Sequence, residues 1–299
     1  MSTQLTKLFP LIGLILVVAI AVITRRAWIP ALSHSIPSIW RIAKITVAEA
    51  RRRRVVHAVI ILVIVILLSM TFFSYLSPQE QSRMIISSGL TAITVFGILL
   101  AIFIAAFLVP HEIETRTIYA ILAKPVRRFE FVLGKYLGAL IVLGVITAVM
   151  TAVLVVVLVV QSRLVPSTPE SAFNANLTWV VFAAVMNYCA LAVLTALIIL
   201  ISTIASNTMT VISAFIIWTV GSMQSTFHDL ADKAYGAAKV LLLLIYYVVP
   251  KLENFDFRQE ASNFMPISVV SGWDAVLHGI GYTIVVLLLA AVFFNDRQV

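Results

Sequence analysis

The sequence predicts an all-α polytopic membrane protein. Of its 299 residues, 62% are hydrophobic and only 11% are charged, and the mean hydropathy is +1.08. Soluble globular domains carry about 25% charged residues, so this composition excludes that class. Many apolar runs reach about 20 residues, the length that an α-helix needs to cross a ~30 Å hydrocarbon core. The basic residues concentrate in alternate polar segments, as they do in the cytoplasmic loops of such proteins.

The first apolar run, Leu8–Ile23, predicts an extra N-terminal transmembrane helix within residues 1–32. It is slightly shorter than the ~20 residues of a spanning helix, which leaves a shallow anchor as the alternative. Arg25 and Arg26 follow the run, which favours a cytoplasmic position for this end and an N-terminus outside. A cleavable signal peptide is not indicated, because two arginines stand where a small-residue cleavage site belongs.

Residues 33–54 predict an amphipathic helix that lies in the membrane interface. An apolar stripe recurs at helical spacing, and it consists of Ile36, Trp40, Ala43, Val47 and Ala50. The basic residues of this segment are Arg41, Lys44, Arg51, Arg52, Arg53 and Arg54. An apolar face with a tryptophan, backed by basic residues, is typical of contact with membrane lipids. A solvated basic linker is the alternative, and no nucleic acid partner is expected because no folded basic domain surrounds the arginines.

Residues 55–299 form the predicted transmembrane domain. Its six core spans are expected at about 55–75, 87–109, 129–160, 177–204, 209–227 and 272–294. The arginines at 51–54 are costly to translocate, so the first of these spans starts inside. This topology puts fourteen of the 21 Lys and Arg residues, and the C-terminus, in the cytoplasm. The apolar segment 239–249 is short and predicts a re-entrant element; if it crossed the membrane instead, the last span would reverse.

The most charged linker between two long apolar segments is 111–136. Pro110 and Pro125 bound a short helix, since proline suits a first helical position and disfavours continuation. Glu112 and Arg116 stand four residues apart in the favourable order for a helical ion pair. Ile118, Ile121 and Leu122 fall on one face. The segment therefore predicts an amphipathic helix outside the hydrocarbon that a soluble partner can bind.

No motif for catalysis or ATP binding occurs in the chain. Gly134-Lys135 is followed by Tyr136 instead of Ser or Thr, and Phe129 stands where the first glycine of a Walker A motif belongs. No Gly-x-Ser-x-Gly elbow or zinc-protease helix is present either. We therefore expect no bound cofactor or metal and no enzymatic activity in this chain. Polar residues within the spans either line a path or bond their own helix, and they are Asn187, Thr195, Ser213, Thr219 and Gln224.

Gly134 and Gly138 form a GxxxG motif in the span 129–160. Small residues at this spacing let two helices approach closely. Packing within the subunit is the expected use, and a dimer seam is the alternative.

The segment 111–136 resembles the permease subunits of ABC transporters of the ABC-2 type. Between its second and third core helices that family carries an acidic stretch, a Thr, an apolar pair, a Pro with basic neighbours and a Gly-Lys. The matching residues are Glu112 and Glu114, Thr117, Ile121 and Leu122, Pro125 with Arg127 and Arg128, and Gly134 with Lys135. Arg116 departs from the pattern, because many relatives have a small residue there. The resemblance covers about residues 36–299, and the Leu8–Ile23 helix is an addition to it.

The resemblance implies an ABC-2 type fold with an interfacial elbow helix at 33–54, six core spans, a coupling helix at 111–123 and a short re-entrant outer segment. The coupling helix would bind a groove on a separate cytoplasmic ATP-binding cassette subunit, which would hold Mg-ATP. Its contact residues would be Glu112, Glu114, Arg116, Thr117, Ile118, Ile121 and Leu122. Two permeases, identical or different, and two ATPases would form the working unit.

The resemblance also implies an exporter in a bacterial plasma membrane, with an unidentified substrate. A scaffold subunit that transports nothing is the alternative, and a membrane-embedded enzyme is a further one, although no clustered catalytic set is visible in the sequence.

Overall fold

The structure is a computed structural model that describes residues 25–69, 78–108, 128–164, 170–265 and 268–296. Within these ranges the chain is helical apart from short connections, and it has no β-strand. The all-α fold class is therefore confirmed. The predicted N-terminal span Leu8–Ile23 and the predicted coupling helix 111–123 lie outside the described residues.

The structure describes ten α-helices and one 3-10 helix within these ranges. They are α1 Arg25–Arg52, α2 Arg54–Ser69, α3 Pro78–Leu108, α4 Arg128–Leu164, α5 Glu170–Ile204, α6 Asn207–Gly221, α7 Gln224–Lys233, α8 Ala237–Val248, α9 Arg258–Ser262 and α10 Val269–Asp296. A 3-10 helix, Leu252–Phe255, lies between α8 and α9.

The core of the bundle lies between α3, α4, α5 and α10, whose facing side chains form one buried hydrophobic cluster. Two hydroxyl contacts show that α4 and α5 run antiparallel. Tyr136 Oη donates to Ala192 O at 3.3 Å, and Tyr188 Oη donates to Leu140 O at 3.1 Å. Both tyrosines thus find an acceptor on the neighbouring helix, as buried hydroxyls require.

The same four helices are, among the described residues, long and apolar enough to cross a membrane, with spans of 25 to 35 residues. The bent pair α6 and α7 counts as a fifth candidate if it is taken as one span. The remaining expected span, 55–75, corresponds to α2, which is apolar but short within the described part of the chain. The protein is thus an integral, multi-pass membrane protein.

The bundle has two distinct ends. At one end Phe131, in the first turn of α4, stacks on Phe294, in the last turn of α10, with ring centroids 5.5 Å apart. We call this the linker end, since α4 follows the segment 109–127. Away from the linker end lie α7, α8, the 3-10 helix and α9, which together form the cap. The cap reaches inward to the middle of α10, where Tyr282 Oη donates to Val248 O at 2.9 Å. The last helix therefore ends at the same end of the bundle at which α4 begins.

The expected single span 209–227 is broken in the structure. Helix α6 ends at Gly221, and α7 starts at Gln224 with its axis turned by 69°. The residues of α7 explain the turn, because His228, Asp229 and Asp232 would be costly to carry further along an apolar path. The chain turns into the cap at this position instead.

Helices α7 and α8 form a helical hairpin, so the start of α7 and the end of α8 lie next to each other. Gln224, at the start of α7, donates from Nε2 to Val249 O at 2.7 Å, directly after α8. Gly236, with φ +63°, makes the turn between the two helices in a backbone region that favours glycine. The expected re-entrant segment 239–249 thus coincides with α8, which does not cross the bundle.

The expected interfacial helix 33–54 is part of α1, which starts earlier, at Arg25, and ends at Arg52. Its longest contact is with α4, and no other pair of described helices packs more extensively. The predicted apolar stripe is divided in the structure, because Ala43 and Ala50 are buried together with Ile39, Ile42 and Thr46, while Ile36 and Trp40 stay exposed. Packing against α4 determines which face of α1 is buried, because Gly134 and Gly138 on α4 let α1 approach closely.

Candidate functional sites at the two ends of the bundle

The seven residues expected to contact an ATPase all lie in 109–127, outside the described residues. They are Glu112, Glu114, Arg116, Thr117, Ile118, Ile121 and Leu122. What the structure describes is their attachment: α3 ends at Leu108 just before this segment, and α4 begins at Arg128 just after it. The described part of the linker-end site therefore consists of the first turns of α4 and of α1, which packs on them.

Gly134 and Gly138 lie in the interface between α4 and α1. A Cβ added at Gly134 would lie 2.7 Å from Ile42 Cβ, and one added at Gly138 would lie 2.5 Å from Thr46 Cβ. These separations are far below van der Waals contact, so only glycine admits α1 at this distance. The motif thus serves packing within the subunit.

Two polar links cross the same interface, and three of their four residues are buried. Ser35 Oγ on α1 donates to Glu130 Oε1 on α4, and both residues are buried. Lys135 Nζ lies 3.9 Å from Glu49 Oε2 on α1, although the Lys135 side chain is only 1% exposed. The ammonium also lies 5.7 Å from the centroid of the Phe131 ring.

Glu49 extends the second link to the arginines at the end of α1. Its Oε1 accepts a hydrogen bond from Arg53 Nη2 at 2.7 Å, so one carboxylate contacts a buried lysine and a half-buried arginine. Charges taken out of water are stable only when they are paired and hydrogen-bonded. The first two turns of α4 and the second half of α1 are therefore tied together by charge as well as by close packing.

The residues expected at the membrane interface lie on the outer side of this unit. Trp40 is 50% exposed, and Lys44 Nζ lies 5.6 Å from its ring centroid. Arg51, Arg52 and Arg54 are exposed, whereas Arg53 is partly buried by its bond to Glu49. Exposed aromatic and basic side chains on one helix are suited to lipid headgroups.

At the cap end, Gln224 and Glu253 hold the hairpin to the 3-10 helix. The buried Gln224 amide donates from Nε2 to Tyr246 O at 2.9 Å and to Val249 O, which satisfies carbonyls at the end of α8. Glu253 accepts two bonds at the start of α7, from Ser225 N at 2.8 Å and from Ser225 Oγ at 2.7 Å. A carboxylate is favourable there, because the N-terminus of a helix carries partial positive charge.

Asp256 and Arg258 form a bidentate ion pair in the cap. Arg258 Nε donates to Asp256 Oδ1 at 2.7 Å, and Arg258 Nη2 donates to Oδ2 at 2.5 Å. Burial raises the pKa of Asp256, but the hydrogen bonds and charge of Arg258 outweigh this effect and hold the pKa below its usual range. Arg258 Nη1 also reaches Thr91 Oγ1 on α3 at 3.4 Å, which joins the cap to the bundle.

Beneath the cap lies a cavity of about 230 Å³ between α3, α5 and α6. Its apolar lining includes Ile98, Leu194 and Trp218 from the helices, with Phe255 and Phe257 from the cap. Its polar lining includes Asn187, Glu253, Asp256 and Arg258. Cavities with apolar walls and a few convergent polar groups are typical of sites for small molecules.

Residues 40–299 match the sequence profile described as ABC-2 family transporter protein. The match covers most of the chain and includes both ends of the bundle. The chain belongs to the ABC-2 transporter family. It is a permease component of an ABC transporter, and the family associates with an ATP-binding cassette ATPase. Among curated protein sequences, none matches the chain significantly.

Permeases of this family are generally not catalytic themselves. In the described part of the permease, no three His, Cys, Asp or Glu side chains lie close enough to hold a metal ion.

Sequence reasoning did not find the charged groups of the cap. Glu253, Asp256 and Arg258 follow the short apolar segment 239–249, and nothing in their spacing indicates a cavity below them. Asn187 was recognisable as a polar residue inside a span, but its place at the cavity depends on how α3, α5 and α6 pack. The Glu49–Lys135 pair was also missed, since its members are distant in sequence.

Proposed function

We propose that this permease exports a substrate across a bacterial plasma membrane, driven by a cytoplasmic ATPase that docks on residues 111–123 and holds Mg-ATP. The membership of residues 40–299 in the ABC-2 transporter family carries this proposal. Two permeases and two ATPases form the working unit. The linker end then faces the cytoplasm, with the C-terminus on that side, and the N-terminus lies outside.

The contacts at the linker end support a mechanical role for α4. The helix starts directly after the docking segment and continues for 37 residues, or roughly 55 Å at 1.5 Å per residue. Its first turns are fixed to α1 through the Ser35–Glu130 and Glu49–Lys135 links. A displacement imposed at residues 111–123 is thereby carried by α1 and α4 together, instead of being absorbed by a bend at the start of α4.

Side-chain chemistry divides the docking segment into polar and apolar contacts. Glu112, Glu114, Arg116 and Thr117 make the polar contacts to the ATPase, while Ile118, Ile121 and Leu122 pack in its groove. The exposed Trp40 and the arginines at 51–54 hold α1 at the lipid surface on the same side. The docking segment is then positioned next to the membrane by the helices that flank it.

Co-purification tests the partner. The permease is expressed with the ATPase encoded next to its gene, and the complex is isolated through a tag on the ATPase. We expect Glu114→Lys to reduce co-purification and ATPase stimulation, because it reverses a contact charge. Asp229→Lys, an equal reversal on the exposed face of α7, is the control and leaves both unchanged. Undiminished association of the Glu114→Lys variant would contradict the docking site.

Transport by inverted membrane vesicles distinguishes an exporter from a scaffold. Vesicles that contain the complex are incubated with a cell extract and ATP, and their contents are compared by mass spectrometry. A compound that accumulates with the active ATPase, and not with a variant unable to hydrolyse ATP, identifies export. Vesicle contents that are the same with both ATPases would favour the scaffold.

A further inference from the structure

The cavity under the cap has a defined electrostatic character. Three charged residues line it among those that the structure describes: Glu253, Asp256 and Arg258. Arg258 is matched by Asp256 through two hydrogen bonds, which leaves the carboxylate of Glu253 as the excess charge. A cation entering the cavity therefore gains Coulomb energy, and an anion loses it.

Glu253 retains capacity for a ligand although it is already bonded. Its two oxygens accept one hydrogen bond each from Ser225. An ionised carboxylate offers about four lone-pair sites, so further acceptor positions remain. The Ser225 bonds also fix the carboxylate at the cavity wall, which reduces the entropy that is lost when a ligand binds.

Aromatic rings supply the second feature that suits a cation. Trp218 from α6 and Phe255 and Phe257 from the cap line the same space. The faces of such rings attract organic cations, and tryptophan does so most strongly. Phe257 is held in place by an edge-to-face contact with Phe182, at 5.6 Å between centroids.

Asn187 supplies the third feature, at the wall formed by α5. Its Nδ2 is buried without a hydrogen-bond partner. A buried donor without an acceptor is costly, and a ligand oxygen in the cavity would relieve that cost. The cavity thus presents an acceptor carboxylate, aromatic walls and one unmatched donor.

We propose that this cavity is a binding site for a small organic monocation with an apolar body and a hydrogen-bond acceptor. The ammonium group lies near Glu253 and the rings, the apolar body lies against Ile98 and Leu194, and the acceptor meets Asn187. That such cations are the transported substrates rests on the proposed function above, whereas their binding does not.

Direct binding to the purified permease–ATPase complex in nanodiscs tests the site with three probes of similar shape. They are benzyltrimethylammonium, its neutral isostere neopentylbenzene, and the anion phenylmethanesulfonate, measured by equilibrium dialysis against empty nanodiscs. We expect specific binding of the cation, at least about tenfold tighter than the anion or the neutral isostere. Equal binding of all three, or preference for the anion, would overturn the proposal.

Variants locate the binding. Glu253→Gln keeps the shape and removes the charge, and we expect about tenfold weaker cation binding. Asp229→Asn, an equal charge change on the exposed face of α7, is the matched control with unchanged affinity. Ala190→Leu fills part of the cavity without touching a charge, and it also weakens binding. Cation binding that neither Glu253→Gln nor Ala190→Leu changes would place it elsewhere and overturn the site.

A fourth probe tests Asn187. Benzyldimethyl(2-hydroxyethyl)ammonium adds a hydroxyl, and we expect it to bind more tightly than benzyltrimethylammonium to the wild type but not to Asn187→Leu. An identical gain in both proteins would remove Asn187 from the site. Because binding is read without transport, loss of ATPase association with retained cation binding would refute the proposed function alone. An active complex that binds no cation would refute this inference alone.

Discussion

Lys135 and Glu49 form a charged contact across the α1–α4 interface, with Nζ and Oε2 3.9 Å apart and the lysine side chain 1% exposed. The contact joins the helix that follows residues 109–127 to the helix that precedes the first core span. It lies beside the glycines that bring the two backbones together. The ion pair and the close glycine packing therefore hold the same two helices together.

Neutralising Glu49 should destabilise the permease more than replacing Lys135. Glu49→Gln removes the carboxylate that lies beside the buried Lys135 ammonium and should lower the free energy of unfolding by roughly 2 kcal/mol, whereas Lys135→Met removes the buried charge itself and costs less. Denaturant unfolding of the purified protein measures both. Arg54→Gln, an exposed charge next to the same interface, should stay within about 0.5 kcal/mol of the wild type. The reverse order of Glu49→Gln and Lys135→Met would show that the pair is not what stabilises the contact.

Gly138→Ala should separate α1 from α4. The added Cβ would lie 2.5 Å from Thr46 Cβ and 2.9 Å from Ala43 O, so one helix must move. We expect a loss of about 2 kcal/mol in stability, together with weaker stimulation of the ATPase. Gly281→Ala on α10 is the control, because nothing lies within 4 Å of its added Cβ. A Gly138→Ala protein as stable as the control would mean that α1 and α4 can move apart at little cost in stability.

The Gln224 amide should control the order of the cap. Gln224→Ala removes the amide that donates to both Tyr246 O and Val249 O at the end of α8. We expect faster amide hydrogen exchange in residues 245–256, while exchange in α4 and α5 does not change. Gln259→Ala, an exposed glutamine on α9, should leave exchange in the cap at the wild-type rate. Protection of 245–256 that is the same in both variants would contradict the capping role.

The Asp256–Arg258 ion pair should stabilise the cap at neutral pH and lose this effect at acidic pH. The pKa of Asp256 is lowered in the folded state, so its contribution is fully present above the unfolded value of about 3.9 and is lost as the pH falls through the folded pKa. The difference in thermal stability between wild type and Asp256→Asn should be constant from pH 5 to pH 8. It should shrink as the pH is lowered below about 4. A difference that grows on acidification would have the wrong sign for this pair.

Much of the fold could be predicted from the sequence, because composition and run length respond to the membrane itself. The long apolar segments that became α3, α4, α5 and α10 needed no knowledge of their neighbours. The GxxxG spacing of Gly134 and Gly138 likewise indicated a close helix contact. Which helix would lie there could not be read, since α1 contributes Ile42 and Thr46 from a distant part of the chain.

Two features resisted prediction for identifiable reasons. The break after Gly221 was hidden because the apolar residues of α6 outweigh the polar residues of α7 when 209–227 is taken as one segment. Which residues of α1 face α4 could not be read from the sequence, because the exposed Ile36 and Trp40 share one helical stripe with the buried Ala43 and Ala50. In both cases the presence of a helix was predicted, but its end or its buried face depends on contacts with other parts of the chain.

The sequence by itself determined that this protein spans a membrane and that its long apolar helices alternate with charged segments. These properties depend on the transfer of side chains from water to lipid, which is local to each segment. The tertiary structure alone decided that Lys135 meets Glu49, and that Asn187 and Glu253 face one cavity. Such contacts form between residues distant in the chain, and their free energy exists only once the helices have packed.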